Sequence, residues 1–281
     1  MKNYHSNKYI HIKNITLVVK DIERMLQFYQ DVLGMSLLKK VQDTYYLGIE
    51  EELFIKLIHN SNARSKEKTT GLYHFAILLP SRKYLGQILH HFITNEVSLG
   101  GFSDHGVSEA IYLSDPEENG IEIYSDKEDN LWPRENEGIT MYTDIMDIND
   151  VLDQREKSPF KELPKGSKMG HIHLHVSDLI KAEDFFASKL GFQKVIDYGR
   201  SALFLSDGGY HHHIGLNTWS GINIPDKPEG MIGLSSYIIN LPNEKLSILD
   251  RLDNLIKLEE NKYKTKDINN CDVIIEIANK K

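Results

Sequence analysis

The chain has one cysteine, Cys271, among 281 residues. A single thiol cannot build an intramolecular disulfide framework or a multi-cysteine zinc cluster, so a bound metal would have to be held by His, Asp or Glu. Hydrophobic runs are also short, and none approaches the roughly 20 residues that a membrane-spanning helix needs. The first residues lack the apolar stretch of a secretory signal. We therefore expect a cytoplasmic protein with no membrane partner.

Basic residues are in the minority, because 33 Lys and Arg stand against 41 Asp and Glu, and the formal net charge is -8. The two signs are interspersed along the chain, whereas affinity for nucleic acid comes largely from clustered Lys and Arg. We therefore expect a small-molecule partner and no binding of nucleic acid. The length is comfortable for two domains.

An internal repeat organises the sequence. Residues 14–35, "NITLVVKDIERMLQFYQDVLGM", and residues 171–192, "HIHLHVSDLIKAEDFFASKLGF", share an alternating strand, an Asp and an amphipathic helix that ends at Leu-Gly. Fainter copies begin at residues 71 and 233, and each has a Leu-Pro stop between strand and helix. About three strand-like runs follow each helix. The sequence therefore predicts an α+β protein of four βαβββ modules.

The repeat also predicts domain boundaries. Modules one and two occupy residues 8–126, and modules three and four occupy residues 169–279. Residues 127–168 between them are charged and contain three prolines. We interpret this segment as a linker with one short helix near residues 147–155.

Three segments carry a resemblance to a known family: "VSDLIKAEDFFASKLGF", "SDPEENGIEIYSD" and "GGYHHHIGLN". With the paired modules, they resemble the vicinal oxygen chelate superfamily of glyoxalases, bleomycin resistance proteins and extradiol dioxygenases. The dioxygenase-like segments are similar to those of two-domain catechol 2,3-dioxygenases. The resemblance covers nearly the whole chain. It implies two glyoxalase/dioxygenase-like domains with cupped mixed sheets, and a metal held by the first and last strands of two modules.

The resemblance can be applied module by module. The first-strand ligand positions hold, in chain order, Asn14, His74, His171 and Ser236. On the last strands, module one offers only Lys56, module two offers Glu122 and module four offers Glu276. Module three offers a histidine run at residues 211–213. Modules two and three thus supply the complete set of His74, Glu122, His171 and one further histidine. Modules three and four would leave Ser236 in a histidine's place.

Two imidazoles and a carboxylate on one face of Fe(II) leave adjacent positions open for substrate oxygens and dioxygen. The resemblance therefore implies an extradiol dioxygenase that opens a catechol-like ring with O2. We expect Fe(II), with Mn(II), Zn(II) or Ni(II) as alternatives. Whether modules two and three share one site within a chain or across a homodimer is open at this point.

Two further roles follow from the resemblance. The "HHIGL" motif matches His212 to the family's acid-base histidine, and Tyr112 stands before Glu122 as the family's substrate-contacting tyrosine does. Strand alternation opposes the first assignment, because His212 shares the parity of Ile214 and would face the helices. A bulge before Ile214 would reconcile the two, and His213 is the reserve.

Other polar side chains near these positions are expected to line the substrate cavity: His105, His173, His175, Asn217 and Trp219. In contrast, Asp21, Asp115 and Asp178 stand at junctions where Asp ordinarily caps a helix or forms a turn.

Two other functions fit the same fold. A glyoxalase-type lyase or isomerase would use Zn(II) or Ni(II), but a Glu usually serves there as base, and the histidine at the fourth position counts against it. A protein that sequesters an antibiotic-like molecule would bind without metal. Such a binding cup has no reason to gather four ligand-type residues.

Overall fold

Four βαβββ units follow one another in the computed structural model, which describes residues 2–136 and 138–279. Module one contains β1 (His11–Val19), α1 (Ile22–Gln27), β2 (Ser36–Val41), β3 (Thr44–Ile49) and β4 (Glu52–His59). Module two contains β5 (Gly71–Leu78), α2 (Arg82–Thr94), β6 (Gly101–Asp104), β7 (Ser108–Ser114) and β8 (Gly120–Asp126). The linker contains a 3₁₀ turn (Asp129–Leu131), β9 (Arg134–Glu135), β10 (Gly138–Ile139) and α3 (Ile148–Asp153).

The second half repeats the pattern. Module three contains β11 (Lys168–His175), α4 (Leu179–Glu183), β12 (Gln193–Asp197), β13 (Ala202–Ser206) and β14 (Ile214–Asn217). Module four contains β15 (Gly233–Leu241), a 3₁₀ helix (Asn243–Arg251), β16 (Ile256–Glu259), β17 (Lys262–Lys266) and β18 (Asp272–Ile277). The predicted α+β class with four such modules is confirmed.

The helices begin where the sequence indicates. The side chains of Asp21 and Asp178 accept hydrogen bonds from backbone N–H groups in the first turns of α1 and α4. Both helices then widen into a π-helical stretch, Phe28–Val32 and Asp184–Lys189. The amphipathic α-helix expected in module four is instead 3₁₀, and Lys245 has non-helical backbone angles. The apolar pattern of this segment predicts a helix, but it does not distinguish an α-helix from a 3₁₀ helix.

Two eight-stranded mixed sheets arise from these modules, and neither sheet is confined to one half of the sequence. The first has the order β16-β17-β18-β15-β1-β4-β3-β2 and joins modules one and four. The second has the order β12-β13-β14-β11-β5-β8-β7-β6 and joins modules two and three. We call them the 1–4 sheet and the 2–3 sheet. The division at residues 8–126 and 169–279 therefore follows the sequence repeat and differs from the hydrogen-bonded sheets.

The two halves meet at antiparallel strand pairs. β1 pairs with β15 in the 1–4 sheet, and β5 pairs with β11 in the 2–3 sheet. Within each module, the first and last strands are parallel neighbours. The first and last strands of modules two and three therefore lie side by side within one chain.

Alternation along β11 separates apolar from polar side chains. Ile172 and Leu174 belong to the main hydrophobic core, together with Ile214 and Leu216 of β14. Because successive side chains of a strand point to opposite faces, His171 and His173 project from the other face. That face of the 2–3 sheet carries the candidate site.

The linker packs against the body of the protein. Trp132 is buried, and its indole N–H donates to the Lys127 carbonyl at 2.9 Å. Its ring stacks on Tyr4. α3 lies within residues 147–155, where the sequence predicts a short helix. Asp150 near its start forms an ion pair with Arg82 of α2 at 2.6 Å.

Candidate metal centre and substrate cavity

Three side chains from three neighbouring strands converge on the 2–3 sheet. His74 projects from β5, Glu122 from β8 and His171 from β11. The two histidine Nε2 atoms lie 3.3 Å apart, and Glu122 Oε2 lies 3.1 Å from His74 Nε2 and 3.2 Å from His171 Nε2. These are the three residues that the sequence predicts as metal ligands. The structure brings them together.

Strand register explains the convergence. Ala76 of β5 is paired with Glu122 of β8 on one side and with His171 of β11 on the other. The register between β5 and β11 shifts between Met169 and His171, which is the mark of a β-bulge. The small side chain of Ala76 therefore lies between two candidate ligands, and His74 lies two residues along the same strand and on the same face.

Burial and neighbouring groups shift the pKa values of Glu122 and His171 in the triad. Burial raises the pKa of Glu122, but the neighbouring His171 and His74 outweigh it and hold that pKa well below its usual value. Burial lowers the pKa of His171 to about 4, against the opposing effect of Glu122. Near neutral pH the pair is a carboxylate and a neutral imidazole, which are the forms that bind metals.

The triad has the dimensions of a metal site. Bonds of about 2.1 Å at right angles place neighbouring ligand atoms about 3.0 Å apart. The three ligand-atom distances of 3.1, 3.2 and 3.3 Å are close to this value. Two imidazole nitrogens and one carboxylate oxygen on one face form the donor set of non-haem Fe(II) centres. Among the described residues, no other group of three His, Cys, Asp or Glu side chains converges in this way.

A cavity of about 840 Å³ opens over the triad. Its lining includes His74 and Glu122. The side chains predicted to face substrate that also line it are His105, Tyr112, His173, His175, His212 and Trp219. A cavity of this size is within the range of small-molecule sites.

Tyr112 and His105 form a hydrogen-bonded pair on the cavity wall. His105 Nδ1 lies 2.9 Å from the Tyr142 carbonyl oxygen, which can only accept, so Nδ1 carries the proton. His105 Nε2 is then an acceptor, and the Tyr112 hydroxyl donates to it at 2.7 Å. Burial, reinforced by Glu122, holds the pKa of Tyr112 well above its usual value. The phenol stays protonated beside the triad.

His212 lies on the triad side of the histidine run. Its ring centroid is 4.0 Å from that of His171 and 5.0 Å from that of Phe204. Burial, followed by the neighbouring histidines His171 and His211, keeps the pKa of His212 well below its usual value. Residues 210–213 precede β14 and are not in a strand. Strand alternation therefore does not apply to them, which explains how His212 faces the cavity despite sharing the parity of Ile214.

His213, the reserve candidate, points elsewhere. Its Nε2 lies 3.2 Å from the Tyr4 carbonyl oxygen, and its Nδ1 accepts from the Asp207 N–H at 3.2 Å. Its ring packs beside His5 and His11 of the N-terminal segment. The structure therefore places His213 outside the cavity and contradicts a role for it there.

Asn217 is also absent from the cavity wall, contrary to expectation. It is fully buried behind His173 and His175. Its Oδ1 accepts from His175 Nδ1 at 2.7 Å and from the Trp219 N–H at 3.1 Å, and its Nδ2 donates to His173 Nε2 at 3.0 Å. Asn217 thus orients two cavity histidines without reaching the ligand space itself.

Several cavity and supporting residues were not predicted from the sequence. Tyr73, 40% exposed, packs against His173, His175 and Trp219 at the wall. Its position directly before the candidate ligand His74 in "LYHF" could have indicated that it lies at the cavity. Asp126 ends β8 and contacts His211, but its place as the last residue of a strand gave no sign of this.

Within the part of the chain that the structure describes, the 1–4 sheet has no equivalent centre. The module-four carboxylate Glu276 forms an ion pair with Lys13 and lies 3.9 Å from Lys262. The corresponding first-strand positions hold Asn14 and Ser236. The interpretation in which Glu276 serves as the ligand carboxylate fails, because module four pairs with module one.

The comparisons with known proteins agree with this geometry. Residues 11–123 match the family described as the glyoxalase/bleomycin resistance protein/dioxygenase superfamily. A protein of Bacillus subtilis (strain 168) named catechol-2,3-dioxygenase is 42% identical over 269 residues, which cover 92% of this chain and 93% of that protein. The chain belongs to the glyoxalase/bleomycin resistance/dioxygenase superfamily.

Solved structures share the fold of this chain at low sequence identity. A Bacillus subtilis protein provisionally named a dioxygenase has a TM-score of 0.64 at 15% identity, covering 95% of this chain and 84% of its own. Glyoxalase I from Zea mays has a TM-score of 0.58 at 16% identity, covering 95% and 92%. No helix in the described ranges is long and apolar enough to cross a membrane.

Proposed function

We propose that this superfamily member is a metal-dependent extradiol dioxygenase that cleaves a catechol-like ring with O2. The observation that carries the proposal is the facial triad of His74, Glu122 and His171 at the base of a cavity that His212 and Tyr112 also line. The named activity of the 42% identical relative supports the same reaction.

His74, Glu122 and His171 would hold the metal, and we propose Fe(II). When bound, Fe(II) would supply adjacent positions for the two substrate oxygens and for dioxygen. The carboxylate of Glu122 would offset part of the metal's positive charge. Among the surrounding rings, Trp219 and Tyr73 form an aromatic wall against which an aromatic substrate can pack.

Protons are handled by the protein side chains. His212 is neutral near pH 7, because its pKa is well below the usual value, and it can accept a proton from a catechol hydroxyl. Tyr112 stays protonated and can donate to a substrate oxygen if its hydroxyl turns from His105. His105 can accept from Tyr112 only in the tautomer that the Tyr142 carbonyl enforces.

Oxygen uptake tests the proposal. Protein is loaded anaerobically with Fe(II) and exposed to air with catechol and a panel of substituted catechols. We expect consumption of one O2 per ring and a product that gains both atoms of ¹⁸O2, measured by mass spectrometry. The His212→Ala variant should turn over about 100-fold to 10,000-fold more slowly, the usual contribution of a general acid or base. His90→Gln, at an exposed position of α2, is the matched histidine control.

The alternatives predict different results. Turnover of a hemithioacetal by the Zn(II)- or Ni(II)-loaded protein, without oxygen uptake, would favour a glyoxalase-type isomerase. Tight binding of an aromatic compound without metal would favour sequestration. If the iron-loaded wild type consumes no oxygen with any catechol of the panel, the dioxygenase proposal is wrong.

A further inference from the structure

A chain of three buried side chains leads from the end of β8 to the cavity. The Asp126 carboxylate oxygen Oδ1 lies 2.9 Å from His211 Nε2. His211 Nδ1 lies 2.8 Å from His212 Nδ1. The side chain of Asp126 is 3% exposed, and that of His211 is fully buried. Only His212 of the three reaches the cavity wall.

The chemistry of the first member fixes the protons along the chain. A carboxylate oxygen such as Asp126 Oδ1 accepts hydrogen bonds, so His211 Nε2 carries a proton and donates a hydrogen bond to it. An imidazole whose one proton is on Nε2 has its lone pair on Nδ1, so His211 Nδ1 accepts from His212 Nδ1–H. His212 is left with its lone pair on Nε2, the nitrogen that is not turned to His211. This is the form in which an imidazole can take a proton from a ligand.

The surroundings of Asp126 support this order. The Tyr210 hydroxyl donates to the same carboxylate oxygen at 3.3 Å, and it receives a hydrogen bond from Tyr124 at 2.8 Å. No Lys or Arg lies within ion-pair distance of Asp126 in the described part of the chain; His211 is its one ion-pair partner there. A buried carboxylate is costly unless it is hydrogen-bonded, and here the available donors include the His211 ring.

We propose that Asp126 and His211 are positioning residues that hold His212 in the Nδ1–H tautomer with the Nε2 lone pair directed to the cavity. This inference rests on the proposed role of His212 in proton transfer. Neither residue touches substrate. In many enzymes a carboxylate orients a catalytic histidine directly; here one additional imidazole, that of His211, lies between the carboxylate and the histidine.

Nuclear magnetic resonance can read the tautomer directly. Protein labelled with ¹⁵N-histidine, either metal-free or loaded with diamagnetic Zn(II), gives long-range ¹H–¹⁵N correlations for each ring. The His212 signals are assigned from their loss in His212→Gln. We expect a protonated Nδ1 and an unprotonated Nε2 in the wild type. In Asp126→Leu, which removes the acceptor, His212 should become a mixture of both tautomers.

Two more variants distinguish a positioning role from a purely structural one. Asp126→Asn keeps an amide oxygen that can accept from His211, so the wild-type tautomer should persist. His211→Phe keeps an aromatic ring between Tyr210 and Trp132 but removes the nitrogen that accepts from His212, so the tautomer should again become mixed. If Asp126→Leu does not fold, His211→Phe makes the same test.

Kinetics of the iron-loaded protein give the second measurement. We expect kcat to fall about 100-fold in Asp126→Leu, near the lower end for loss of a general acid or base, with KM within about 3-fold. Asp126→Asn should retain kcat within about 10-fold, since the hydrogen bond is kept while the charge is lost. Metal content and melting temperature are measured on every variant.

An unchanged His212 tautomer in both Asp126→Leu and His211→Phe would overturn the inference. The inference would also be overturned if Asp126→Leu and Asp126→Asn lost kcat to the same extent, in proportion to their losses of metal content and melting temperature. That result is expected if Asp126 only stabilises the local structure. If the wild type cleaves no catechol, the proposed function fails, while the tautomer measurement still decides whether Asp126 and His211 position His212.

Discussion

Acid should weaken the fold through a buried histidine at the start of β1, a central strand of the 1–4 sheet. His11 on β1 is 7% exposed, and its Nδ1–H donates to the Tyr9 carbonyl oxygen at 2.9 Å. Burial, assisted by the charge of Lys13 and opposed by the Tyr9 hydrogen bond, lowers the pKa of His11 from 6.5 to about 4. The unfolded chain therefore binds a proton on this histidine at a pH where the folded chain does not.

The sign and size of the effect follow from proton linkage. Stability is fully present above the unfolded pKa of 6.5 and is lost as the pH falls toward the folded pKa of about 4. With 1.36 kcal/mol for each pKa unit, His11 alone should reduce the free energy of unfolding by about 2 kcal/mol between pH 7.5 and pH 5. Urea unfolding, followed by circular dichroism at both pH values, measures this difference.

The His11→Asn variant isolates the contribution. Its amide can replace the donor to Tyr9 but does not titrate, so the loss of stability between pH 7.5 and pH 5 should be about 2 kcal/mol smaller than in the wild type. Ile10→Val is the matched control. It removes one methylene group from the neighbouring core and should lower the free energy of unfolding equally at both pH values. Equal pH dependence in His11→Asn and the wild type would refute the reasoning.

Three further outcomes are expected. Glu122→Gln removes the carboxylate of the triad, and elemental analysis after Fe(II) or Zn(II) loading should show metal near background; full metal content would contradict the site. Tyr29→Phe removes one donor to the buried Asp115 carboxylate, the hydroxyl 2.8 Å from Oδ2, while Asn119 Nδ2 still donates to the same oxygen. The variant should lower the free energy of unfolding in urea by about 1 kcal/mol, whereas an unchanged midpoint would argue against the bond. Gly170→Ala places a Cβ against the Tyr124 hydroxyl and should cost about 1–3 kcal/mol by overpacking, visible as a lower melting temperature; no change would mean that the ring moves freely.

The local elements of the fold could be predicted because each one carries its own periodic pattern. The run from Ile172 to Val176 alternates as a half-buried strand, and Asp178 marks the helix that follows it. The exchange of modules between the sheets could not be predicted in this way. β5 pairs with β11 rather than with β1 because of contacts nearly 100 residues apart in the chain, and the strand patterns of all four modules are alike.

The candidate site shows the same division. His74, Glu122 and His171 could be selected because modules two and three together carry a complete set of ligand-type side chains at the positions that the family resemblance marks. The prediction for Asn217 was wrong, since a polar residue at the end of a strand can lie behind a cavity wall as readily as on it. The link between Asp126 and His211 depends on a loop conformation that no periodic pattern describes.

The exchange of modules between the two sheets has a consequence for assembly. When only residues 1–126 have left the ribosome, the candidate ligands His74 and Glu122 are present, but β11 and β15, which complete the 2–3 sheet and the 1–4 sheet, are not. Both β1 and β5 then expose a full row of unpaired backbone groups. Fragments produced by a cut within residues 127–167 should therefore need each other to fold, and mixing them should restore both sheets and the candidate centre in a single step.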